Sequence, residues 1–146
     1  MDRKEFIKNC GFACLGTTML AGLLESCASS TYYAKTEVNE NKLTIRKAEF
    51  TRSEKGKEVQ RPYVLIKTDK LNFPVCIYKI SEEEYSAVLM ECTHNSCELN
   101  PQGSFLVCPC HGSEFTNKGI VQNPPAERNL RSFTITTDHE NIYVQL

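Results

Sequence analysis

Two short boxes constrain this chain more than anything else in it: Cys92-Thr93-His94-Asn95-Ser96-Cys97 and Cys108-Pro109-Cys110-His111-Gly112-Ser113. They hold four of the eight cysteines and two of the three histidines. Thiolate and imidazole are good ligands for transition metals, so the natural fold is one that lets the boxes face each other. Between them lies a turn, Asn100-Pro101-Gln102-Gly103, followed by a strand from Ser104 to Val107. Both boxes then fall as loops at one end of a β unit.

The rest of the chain agrees with a β fold. Segments rich in β-branched and aromatic residues run Leu43–Arg46, Tyr63–Lys67, Val75–Ile80, Tyr85–Glu91, Ser132–Thr137 and Ile142–Leu146. Turn signals separate them at residues 54–57, 68–70, 117–119 and 138–141. No segment has a convincing helical period; Ser81-Glu82-Glu83-Glu84 suits one helical turn or a charged turn. Many short strands with frequent turns predict an all-β, antiparallel sandwich or barrel. Cys76, among apolar neighbours in a strand, is expected to be a buried, inert thiol. His139 lies in a polar turn and is expected to be a solvated surface residue. The formal net charge is −1 with no basic stripe, which argues against a nucleic-acid partner.

The N-terminus carries a different signal. Arg3, Lys4 and Lys8 precede an uncharged run from Cys10 to Leu24, and Glu25-Ser26-Cys27-Ala28 follows. A basic start, an apolar run and a small-residue end make an export signal; the run is short for a bilayer-crossing helix. Residues 1–26 are therefore read as an export signal or membrane anchor, 27–41 as a polar linker, and 42–146 as the folded domain. Residues 3–8 resemble a twin-arginine signal with Lys4 in the second arginine's place. Leu24-Glu25-Ser26-Cys27 resembles a bacterial lipoprotein box, which implies acylation of Cys27; an uncleaved anchor is the alternative.

Two thiolates and two imidazoles leave a bound iron–sulfur core less negative than four thiolates would, so an added electron is accepted more easily. A structural zinc site also uses Cys and His, but its ligand pairs tend to be C-x-x-C or H-x-x-H. The order C-x-H then C-x-x-H resembles the signature of the Rieske [2Fe-2S] proteins, and the disulfide-containing iron–sulfur proteins of cytochrome bc-type complexes resemble it most closely. Asn123-Pro124-Pro125-Ala126 looks like the proline loop that covers the cluster in that family. The resemblance implies an antiparallel Rieske fold, with a small cluster-binding subdomain at about residues 91–126 inserted in a β-sandwich or barrel base. It implies one [2Fe-2S] cluster per chain, held by Cys92 and Cys108 on one iron and His94 and His111 on the other. Such centres span about −150 to +300 mV. It also implies a Cys97–Cys110 disulfide and a hydrogen bond from Ser113 to the cluster.

The departures from the respiratory pattern are Asn95-Ser96 in place of Leu-Gly and Phe115 in place of a tyrosine. The loop between His94 and Cys108 is also short, at 13 residues. The implied function is one-electron transfer by a component that is not a stand-alone enzyme: a membrane-tethered subunit of a quinol-oxidising envelope complex, or a free-standing envelope carrier for another oxidoreductase. The expected partner is a cytochrome or other redox protein, with a quinol as a candidate donor. The expected place is the bacterial envelope, anchored and facing the periplasm or outside. A Rieske oxygenase needs a further mononuclear iron site of two histidines and a carboxylate, and with only His139 besides the box histidines the chain cannot build one.

Overall fold

The computed structural model describes residues 31–146. The expected export signal and the candidate acylation site Cys27 lie outside the described residues. The described chain is all-β. A seven-stranded antiparallel sheet has the order β1(Thr36–Asn39), β2(Lys42–Arg46), β13(Asn141–Gln145), β12(Ser132–Thr137), β7(Tyr85–Leu89), β6(Val75–Lys79), β5(Tyr63–Ile66). A four-stranded sheet, β11(Val121–Asn123), β10(Glu114–Thr116), β9(Phe105–Val107), β8(Asn100–Gln102), is built wholly from the chain between β7 and β12. A hairpin, β3(Thr51–Glu54) with β4(Lys57–Gln60), completes the set. Ser81–Glu84 forms a charged turn capped by Ser81 Oγ, which accepts from the amides of Glu83 and Glu84 at 3.4 and 3.1 Å.

Strands β5, β6 and β7 position the site because they are buried on both faces. Val64, Ile66, Val75, Ile77, Ala87 and Leu89 point into the core of the large sheet. Their alternating neighbours Leu65, Cys76, Tyr78, Val88 and Met90 share a second core with Cys92, Leu99, Leu106, Cys108 and Phe115. Successive strand side chains point to opposite faces, so apolar residues on both faces give the unbroken runs seen in sequence. The second core seats the four-stranded sheet on the first. Tyr78 adds a polar tie, its hydroxyl donating to Phe105 O at 3.2 Å. Gly119, at φ +79°, lets the β10–β11 turn lie directly on β7.

Part of the segment read as linker is instead structural. Thr36–Asn39 pairs with β2 in antiparallel register. Just before it, Tyr33 bridges Leu65 in parallel, and Ala34 N donates to Leu65 O at 2.8 Å. The chain thus joins β5 to β2 and closes the large sheet into a barrel. Glu49, 8% exposed, secures this stretch: its carboxylate accepts from the Tyr32 hydroxyl and, at 3.2 Å, from the Lys35 amide. Arg61 stacks over the Tyr32 ring at 3.8 Å. Strand β1 has no buried side chain. Backbone pairing holds it, with the Thr36 hydroxyl donating to Thr44 O at 3.1 Å, which leaves no apolar alternation to read.

Candidate metal centre

The two boxes fold into loops of matching construction. In the first, Cys92 N donates to Cys97 O at 2.9 Å and Ser96 N to Cys92 O at 2.8 Å. In the second, Cys108 N donates to Ser113 O at 2.8 Å and Gly112 N to Cys108 O at 3.0 Å. Each loop therefore closes on its first cysteine with the same four- and five-residue spacing. Each also turns on a left-handed residue, Ser96 at φ +47° and Gly112 at φ +79°. Glycine adopts that conformation freely; Ser96 does so with its hydroxyl donating to Glu91 at 2.8 Å.

This construction separates the donors by type. Cys92 and Cys108 are each 1% exposed and sit in the core beneath the loops. His94 and His111 are exposed at the tip, ring centroids 5.1 Å apart and edge-on at 86°. Burial pushes the Cys92 thiol up, and its contact with Cys108 pushes in the same direction, while the amides of His94 and Asn95 pull it down. Those amides favour the thiolate that a metal requires.

Cys97 and Cys110 form the expected disulfide, Cα atoms 6.5 Å apart. The bond ties the loops together above the buried thiols. The Sγ atoms of Cys97, Cys108 and Cys110 all lie within 4.8 Å of one another. That spacing would suit a metal, but two of the three sulfurs are committed to the disulfide and carry no charge to donate. The available donors are therefore the thiols of Cys92 and Cys108 and the two imidazoles.

A third segment covers the loops. Asn123-Pro124-Pro125-Ala126, with a cis peptide between the prolines, brings Ala126 N to Ser113 Oγ at 3.0 Å. Ser113 is fully buried. A hydroxyl has one proton to donate; Oγ uses a lone pair on Ala126, and its proton has no protein acceptor among the described residues. Thr93 Oγ1 donates to Arg128 O at 2.6 Å and Arg128 returns a 3.3 Å bond to Thr93 O. Sequence reading missed this clasp: its partners are 35 residues apart and no local pattern marks them. Phe115 is fully buried in the core that holds Cys92 and Cys108. Cys76 lies in the same core, its thiol pushed far up by burial, as an inert core thiol should be. His139 is exposed in the β12–β13 turn.

The profile of the Rieske [2Fe-2S] domain matches residues 49–134, more than half of the chain. The chain belongs to the Rieske [2Fe-2S] domain family. It is 36% identical over 55 residues to the cytochrome b6-f complex iron-sulfur subunit of Prochlorococcus marinus (strain MIT 9303), covering 36% of this chain and 31% of that protein. With the corresponding subunit of Synechococcus sp. (strain JA-3-3Ab) it shares 38% over 53 residues, covering 35% and 31%. The chain thus spans about a third of the length of these curated relatives. The crystal structure of the cyanobacterial plasma membrane Rieske protein PetC3 from Synechocystis PCC 6803 superposes with a TM-score of 0.52 at 34% identity. That match covers 58% of this chain and 87% of that one.

A Rieske domain implies one [2Fe-2S] cluster and Rieske-type electron transfer. The residues present fit such a group: a close pair of buried thiols, a close pair of exposed imidazoles, amides directed at Cys92 and a buried hydroxyl proton without a protein acceptor.

Proposed function

We propose that Cys92 and Cys108 hold one iron of the cluster and His94 and His111 the other. A bound cluster of this kind takes up and gives back one electron. The chain's residues set the conditions for that exchange. The buried thiols and the second core shield one side from water, and Ser113 offers its hydroxyl proton. The exposed histidines form the face through which a partner is reached. The observation that carries this reading is the adjacent, exposed His94–His111 pair above two buried free thiols. Purified protein should contain about two irons and two acid-labile sulfides per chain, and give the low-average-g electron resonance of mixed His and Cys ligation. His94→Ala and His111→Ala should each lose or convert the cluster. Stoichiometric zinc without sulfide would refute the assignment.

In the cell the domain serves as a tethered subunit of an envelope complex that oxidises quinol. On this reading residues 1–26 export the chain and Cys27 is acylated; part of the stretch after it, up to the barrel-closing residues, is the tether. The domain faces the periplasm or outside, where a structural disulfide persists. With the cluster held, the other ring nitrogen of His111 would accept a hydrogen bond from a quinol hydroxyl and take its proton. The exposed polar Asn95 beside His94 favours a second reading, a free-standing carrier that docks on a redox protein. Reduction of the full chain by a quinol, in vesicles with its native membrane partners, supports the first; reduction only by a soluble redox protein supports the second. Labelled palmitate entering the protein, but not a Cys27→Ala variant, tests the anchor.

A further inference from the structure

We infer that Cys108 can react with the neighbouring disulfide, so that the cluster must be in place before or while that disulfide exists. The inference rests on the proposed role of Cys108 as an iron ligand. Its basis is the sulfur triangle: a free Cys108 thiol whose Sγ lies within 4.8 Å of both disulfide sulfurs. Thiol–disulfide exchange proceeds by attack of a thiolate on one sulfur of a disulfide, and holding the reactants together raises its effective concentration.

The step needs no outside oxidant. Cys108 Sγ bonds to Cys97 Sγ; the Cys97–Cys110 bond breaks; Cys110 leaves with the proton that Cys108 gives up. One disulfide and one thiol remain, so electrons and protons balance. Two features choose Cys97 as the sulfur attacked. Cys110 is exposed and Cys97 is half-buried, so the Cys110 thiolate is the better solvated leaving group. A Cys108–Cys110 bond would also close a strained ring across a single intervening residue, Pro109.

The product lacks one of the two buried thiols and cannot assemble the proposed donor set. In the loaded protein Cys108 is tied to iron and the attack is blocked. The disulfide is therefore compatible with a filled site and disables an empty one. This orders assembly: cluster first, disulfide second.

The test uses the full-length chain, purified with its cluster, with iron and sulfide measured first. The cluster is stripped anaerobically with a chelator, without added thiol, at about pH 8.5, where free thiols begin to ionise. Samples are alkylated at intervals over minutes to hours, the range of uncatalysed rearrangement, and their disulfides are mapped by mass spectrometry. The expected result is replacement of the Cys97–Cys110 peptide by Cys97–Cys108, with Cys110 becoming alkylated, in stripped protein only. The rate should not change on dilution, and Cys108→Ser apoprotein should keep the native pair. Persistence of Cys97–Cys110 with Cys108 alkylated overturns the inference. So does a mixture in which Cys76 or any other thiol captures the disulfide equally. If the starting protein contains iron and sulfide but no exchange follows, the inference alone fails; if it contains neither, the cluster assignment fails.

Discussion

Ser113→Ala separates two roles carried by one oxygen. Ser113 Oγ accepts the Ala126 amide at 3.0 Å in a fully buried position. Alanine leaves that amide without a partner, which costs about 1–3 kcal/mol. For a domain of this size the cost should lower Tm by about 4 °C per kcal/mol. On the proposed reading the substitution also deletes a hydroxyl proton that Ser113 would offer to the cluster. A donated hydrogen bond stabilises the more negative, reduced state, so its loss lowers the potential. A bond to a charged group contributes on the order of 1.5–3 kcal/mol, and only the part that differs between redox states counts. With about 40 mV per kcal/mol for one electron, the midpoint should fall by several tens of millivolts. Ser113→Thr keeps the hydroxyl but adds a methyl to a filled core, typically costing about 1–3 kcal/mol. It should therefore lose stability while holding its potential near wild type. Voltammetry and thermal melts of the three proteins decide the matter. An unchanged or raised midpoint in Ser113→Ala would refute the reasoning, and so would equal midpoint shifts in both variants.

Phe115→Tyr places a hydroxyl in the core shared with Cys92 and Cys108. It should raise the midpoint if that hydroxyl reaches a cluster sulfur; a lowered value counts against the placement. Gly119→Ala should destabilise the domain by about 1–3 kcal/mol, because the added Cβ meets Val88 Cγ1 at 3.0 Å and Leu130 Cβ at 3.1 Å at φ +79°; an unchanged urea midpoint contradicts this. In the β12–β13 turn, the Tyr143 hydroxyl and the amides of Asn141 and Glu140 hold the Asp138 carboxyl well below its usual 3.8. A depressed carboxylate contributes stability above its unfolded pKa and loses it as pH falls through the folded one. Asp138→Asn should therefore flatten the loss of stability below about pH 4, and an acid-unfolding curve identical to wild type would argue against the contribution.

Local pattern in the sequence was enough to locate seven of the strands and both loops. Leu43, Ile45, Ile142 and Val144 alternate with solvent-facing neighbours, and that period is visible in one dimension. The two boxes are equally local, because each loop closes within six residues of its first cysteine. Their resemblance to a known signature also carried the disulfide pairing. What escaped was whatever rests on backbone pairing or on distant partners. Strand β1 buries nothing, and β8 contains Pro101 in a segment read as a turn. Strands β10 and β11 are three residues each, too short to establish a period. The Thr93–Arg128 clasp and the Ala126–Ser113 bond join residues that only folding makes neighbours. The chain's own chemistry thus determined which metal-binding groups exist and that they sit on loops of a β domain. Tertiary structure decided which face of β5, β6 and β7 carries them, that residues 33–39 close the barrel, and that a free thiol lies beside a disulfide. Side-chain alternation reports only whether each face is buried, whereas position beside a distant segment depends on how sheets stack.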